Sequence, residues 1–126
     1  MTTYNKEFGV FLPIASGGWI VSENTPPLDA SYKQNKNAAM IADQYKMDFI
    51  MSMAKWRGYG GKTEHWGTSL ESITMMAGIA EATSHAKIIA TVHTLLMNPG
   101  AIAKMFATLD QISDGRAGLN IVSGSF

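Results

Sequence analysis

Apolar positions along the chain fall into four short runs, separated by three stretches with helical spacing. Phe8-Gly9-Val10-Phe11-Leu12-Pro13-Ile14 closes at the turn-forming Ala15-Ser16-Gly17-Gly18, the pattern of a buried strand followed by a loop. After Pro26 and Pro27, Ser31-Tyr32-Lys33-Gln34 reads as a capping box, and Ala38, Ile41, Ala42 and Tyr45 recur at i, i+3, i+4 and i+7. A first amphipathic helix is predicted there. Phe49 to Met53 reads as a second strand. A long loop rich in glycine, aromatics and charge runs from Ala54 to Gly67. Thr68-Ser69-Leu70-Glu71 then supplies another capping box, and Leu70, Ile73, Ala77 and Ala80 stripe a second helix ending near Thr83. Lys87 to His93 is the third strand. Asn98-Pro99 caps and starts a third helix, with Ala101, Ile102, Met105, Phe106, Leu109 and Ile112 on one face and Gly115 as its stop. Leu119 to Val122 is the fourth strand.

Strands alternating with crossover-length helices imply a parallel sheet, and the strands lack the strict polar alternation of a half-solvated sheet. Four such strands suit either an open doubly wound sheet or the first half of an eight-stranded barrel. The turn after the first strand lacks G-x-G-x-x-G, which removes the main support for a dinucleotide-binding open sheet. The fold class read from the chain is therefore α/β, the N-terminal half, about four β-α units, of a TIM-type (β/α)8 barrel.

Composition narrows the function classes. With 126 residues, 46% apolar and 16% charged, the chain can bury one core, and its formal net charge is zero. Neither nucleic acid nor an anionic membrane is expected as a partner, since no basic run is present. The N-terminal Met1 to Glu7 is polar, and no apolar run reaches the length of a membrane span. Cysteine is absent, which excludes disulfides, thiolate zinc sites and a cysteine nucleophile, and it is compatible with a reducing cytoplasm. The nine methionines read as adaptable packing.

Candidate chemistry concentrates between Lys87 and Gly124. In the third strand Ile88, Ala90 and Val92 form one apolar face, while Ile89, Thr91 and His93 turn polar toward the C-terminal end, where barrel enzymes place their sites. Thr91 serves either a site or a satisfied buried hydroxyl, and His93 by itself reads as a structural histidine. Asn120, on the face opposite Leu119 and Ile121, needs a partner in a side chain, the backbone or a ligand. In the loop, Lys55, Arg57 and Lys62 offer cations, while Trp56, Tyr59 and Trp66 offer walls for an aromatic ligand. Asp110, Asp114 and Arg116 read as a structural ion pair or turn cap. No paired carboxylates, nucleophile triad or metal spacing is visible among His65, His85, His93 and the acidic residues.

From Gly9-Val10-Phe11-Leu12-Pro13-Ile14, through Thr108 to Arg116, to Asn120-Ile121-Val122-Ser123-Gly124, the chain resembles the bacterial-luciferase-like, flavin-dependent monooxygenases. Lys55 to Trp66 looks most like the loop of the pyrimidine (uracil-opening) enzymes of that family. The resemblance implies an eight-stranded α/β barrel in which reduced flavin mononucleotide (FMN), supplied by a partner flavin reductase, is used with dioxygen to oxygenate a small substrate. It implies flavin contacts at Ala54, Lys55 and Asn120, with Thr91 and Asn120 flanking the pocket where oxygen meets the flavin. A cytoplasmic location and no metal site are expected from the sequence itself, and a homo-oligomer is expected of the full-length enzyme.

Met51 stands where a leucine is expected beside the oxygen pocket, and His93 replaces a small residue of the pyrimidine enzymes. A sulfone- or alkanesulfonate-oxidising relative, a deazaflavin reductase, or an inactive half-barrel scaffold that pairs with another chain are the alternatives. Because a (β/α)8 domain needs about 250 residues, residues 1–126 are expected to form the N-terminal part of one barrel domain, inactive alone.

Overall fold

The computed structural model describes residues 5–124, so Met1 to Tyr4 of the polar N-terminal stretch lie outside the described residues. Four strands, β1 (Gly9–Leu12), β2 (Phe49–Ser52), β3 (Lys87–His93) and β4 (Ala117–Val122), alternate with α1 (Tyr32–Gln44), α2 (Ser72–Ala82) and α3 (Pro99–Ile112). All pairings are parallel and the spatial order is β1-β2-β3-β4. This is the four-unit β/α arrangement of half a TIM-type barrel. Sequential neighbours pair directly, as barrels require and most doubly wound sheets do not. Among the described residues no helix is long and apolar enough to cross a membrane.

The core lies between the sheet and the helices. Leu12, Ile50, Ile88, Ala90 and Val92 face Ile73, Met76, Ile79, Ile102 and Leu109, all buried. Side chains alternate across each strand, which leaves the opposite face free to form the concave interior.

Two predicted details change. The first is α1, whose capping is as read, with the Ser31 side chain accepting from Gln34 N at 3.2 Å. Its buried face is nevertheless Asn35, Ala39, Ala42 and Asp43, while Ala38, Ile41 and Tyr45 are exposed. The apolar stripe lost to small residues, which allow close approach, and to Asp43, which has its own partners. The second is α2, which begins three residues later than a Thr68 cap would place it. Ser16 N donates to Thr68 O at 2.8 Å, Leu70 N donates to Ile14 O at 3.0 Å, and Ala15 bridges Ser69, so residues 68–70 run extended beside the exit of β1. Glu71 caps the helix instead, its carboxylate accepting from Ile73 N and Thr74 N at 2.9 and 2.7 Å. α3 starts and stops as predicted, with Asn98 capping Gly100 N and Gly115 at φ 79° ending the turn.

Candidate functional site

The strand register builds the interior in rows. Phe11, Met51, Ile89 and Gly118 are register partners across the four strands, giving an apolar floor. A Cβ on Gly118 would lie 3.0 Å from Ile89 Cγ1, so a larger residue there would need Ile89 to shift. One step toward the C-terminal ends, Thr91 pairs with Asn120, and one step further His93 pairs with Val122. Polarity thus rises along the strands toward the mouth.

Thr91 is 5% exposed and fully engaged. Its hydroxyl donates to the Ser52 carbonyl and accepts from Asn120 Nδ2 at 2.9 Å. Its backbone N–H donates to Ser72 Oγ at 2.9 Å, and that oxygen lies 2.6 Å from Ser52 Oγ. The register between β2 and β3 ends at Met51 and Ile89, and beyond it these hydroxyls replace ladder bonds. Ser72, the first residue of α2, therefore wedges the two strands apart where the mouth opens. Neither serine is distinguishable in the sequence from the chain's other small polar residues; only the register brings them to Thr91.

The loop after β2 folds back over the mouth. Ser69 Oγ donates to Lys55 O at 2.6 Å across the loop's base, while Trp66 N donates to Ser16 O at 3.1 Å and Trp66 Nε1 to Gly18 O at 2.7 Å, tying the loop to the one that follows β1. Lys55, only 7% exposed, sets its ammonium 4.0 Å from the Tyr59 ring centre and 5.6 Å from that of Trp66. Trp66 in turn stacks on buried His65 and meets Trp19, which packs on Phe11. Aromatic walls thus border an open cavity of about 410 Å³ whose lining includes Ala54, Lys55, Thr91, His93 and Asn120. A smaller space of about 160 Å³ lies toward α2, shared by Ala54, Lys55, Thr91, His93 and Ser72. Of the other predicted cations, Arg57 is exposed, and Lys62 borders a separate cavity with Glu23 and Thr25. Phe11 and Trp19, which a sequence reading misses, join the walls through strand register and a loop contact.

His93 is 6% exposed, and its Nδ1 is buried without a hydrogen-bond partner among the described residues. Gly124, at φ 87°, lies against it, and a Cβ there would come within 3.1 Å of Nδ1.

Away from the mouth, of the two readings of Arg116 with Asp110 and Asp114, ion pair or turn cap, Arg116 takes a capping role. Arg116 donates to the carbonyls of Ala80, Thr83, Ala86 and Ser113 and to the Thr83 hydroxyl, closing the C-terminus of α2. Asp43 accepts from the backbone N–H groups of Ser84, His85 and Ala86 at 3.0, 2.9 and 2.8 Å. Burial alone would raise its pKa, but these three bonds and the charge of Arg116 outweigh it and hold the carboxyl below its ordinary value. Among the described residues no three His, Asp or Glu side chains gather as a metal site needs.

A four-unit parallel β/α sheet with a polar mouth between β2, β3 and β4 corresponds to a match over residues 6–126: the chain belongs to the luciferase-like monooxygenase family. It is 49% identical over 118 residues to pyrimidine monooxygenase RutA of Rhizobium rhizogenes, covering 94% of this chain and 32% of that protein. The chain thus spans about a third of the length of the curated relatives it matches. Its fold is similar to those of two solved structures. EDTA monooxygenase from Chelativorans sp. BNC1 gives a TM-score of 0.76 at 17% identity, covering 95% of this chain and 30% of that one. The oxygenating constituent of 3,6-diketocamphane monooxygenase from Pseudomonas putida, solved in complex with FMN, gives 0.70 at 21%, covering 95% of this chain and 30% of that one.

Proposed function

We propose that this chain forms the part of a flavin-dependent monooxygenase that holds the edge of reduced FMN and the oxygen pocket, in an enzyme acting on a small pyrimidine such as uracil. The carrying observation is that Ala54, Lys55, Thr91 and Asn120 line one cavity with aromatic walls. The names of the half-identical relatives support the pyrimidine class, and the FMN complex of a similar fold supports the cofactor.

The residues present fit a flat, polar-edged aromatic group. Trp66, Tyr59 and Phe11 offer faces for it, and Lys55 offers a desolvated cation that suits an electron-rich ring edge. Asn120 uses one N–H on Thr91, which leaves its second N–H and its carbonyl for a ligand. When bound, reduced flavin supplies the two electrons with which dioxygen places one oxygen atom in substrate and releases the other as water.

The Thr91 O–H is directed at the Ser52 carbonyl and its oxygen accepts from Asn120, so the hydroxyl is not aimed at substrate; it fixes the Asn120 amide. Met51 and Ile89, one row below, give that amide an apolar floor. A flavin reductase is the partner this chemistry needs, and the cysteine-free sequence suits a reducing cytoplasm.

The test uses full-length protein with FMN, a flavin reductase, NADH, oxygen and uracil. Oxygen-dependent loss of uracil is expected. Consumption of an alkanesulfonate without uracil would keep the monooxygenase and remove the pyrimidine.

A further inference from the structure

We propose that His93 determines substrate specificity, with a cyclic amide edge of the bound substrate supplying the hydrogen bond that Nδ1 lacks. The proposal rests on the monooxygenase reading for the nature of the reaction, but its observations are separate. The imidazole is 6% exposed, and Nδ1 is buried with no hydrogen-bond partner among the described residues. A buried polar atom of this kind is rare and disfavoured unless something else completes it.

His93 borders both spaces at the mouth, so a molecule in either meets the ring. It stands on the same face as Thr91 and Asn120, one row nearer the opening. Gly124 leaves no side chain over the ring, and any other residue there would crowd Nδ1. A neutral imidazole presents one donor and one acceptor, and which nitrogen carries the proton depends on its partner. A cyclic amide offers N–H and C=O side by side and so pairs with either tautomer. A carbon isostere pairs with neither and would leave Nδ1 buried and alone.

The probe is uracil, titrated into full-length protein loaded with oxidised FMN and labelled with ¹⁵N-histidine. The His93 Nδ1 resonance is expected to shift on uracil addition. His93→Leu is expected to weaken uracil binding roughly tenfold or more, as for an unpaired buried polar group. His93→Asn, which returns a polar atom near the Nδ1 position, is expected to recover much of that loss. FMN affinity, measured by fluorescence, should be the same in all three proteins, which also shows that the variants fold.

Uracil binding unchanged in His93→Leu would overturn the proposal and leave the monooxygenase reading intact. So would a loss of FMN affinity parallel to that of uracil, since the flavin would then be the partner. No uracil binding by the wild-type protein would overturn it as well. Failure to bind FMN, with the His93-dependent uracil signal retained, would instead remove the flavin reading and keep the proposal.

Discussion

At Asp43, burial and hydrogen bonding pull in opposite directions, and hydrogen bonding wins. The carboxylate closes three N–H groups ahead of β3, so its folded pKa lies below the ordinary 3.8. A lowered pKa contributes stability that is complete above the unfolded value and is lost as pH falls through the folded one. Urea melts taken from neutral pH down through the carboxylate range should show this acid loss, and Asp43→Asn should flatten it while lowering stability at neutral pH by about 2–4 kcal/mol. At Thr91, Val keeps the shape but leaves the Ser52 carbonyl and the Asn120 amide unpaired. Thr91→Val should cost about 1–3 kcal/mol in the same melts, and Thr91→Ser markedly less. Thr91 and Asn120 were legible as polar groups on buried strands. Asp43 was not, because a lone acidic residue in a helix reads as solvated surface until the chain returns to it forty residues later.

Among the elements, α2 joins the two ends of the β/α layer. Its N-terminus meets the mouth through Ser72, and its C-terminus is held by Arg116, whose planar fork reaches carbonyls on two sides. Arg116→Ala should lower stability by about 2 kcal/mol or more and speed hydrogen exchange in the last turn of α2. Arg116→Lys should not restore it, because three donors on a compact ammonium cannot span the same acceptors. Helix and strand order was readable from period and punctuation, since those signals are local. The start of α2 was not, because pairing with the exit of β1 overrides the capping signal at Thr68. The buried face of α1 was misread for a similar reason: small residues pack inward while Ile41 and Tyr45 stay outside.

For the molecule as a whole, β1 and β4 are the sheet edges, and Leu119 and Ile121 stand exposed on β4 beside α3. The 126-residue polypeptide expressed alone should self-associate with concentration in sedimentation velocity, and Ile121→Lys should reduce that association. A wild-type monomer at every concentration would contradict this. The half-barrel was legible because parallel order and helix length are set by long patterns. The aromatic wall was only partly so: Tyr59 and Trp66 were visible, whereas Phe11 and Trp19 depend on how two loops meet. The hydroxyl wedge carries an evolutionary corollary. Ser52, Ser72 and Thr91 share bonds that no one of them can keep alone, so their substitutions are coupled. Across descendants of this chain the three positions should drift together, and a lineage that widens or narrows its mouth should have changed α2 to do so.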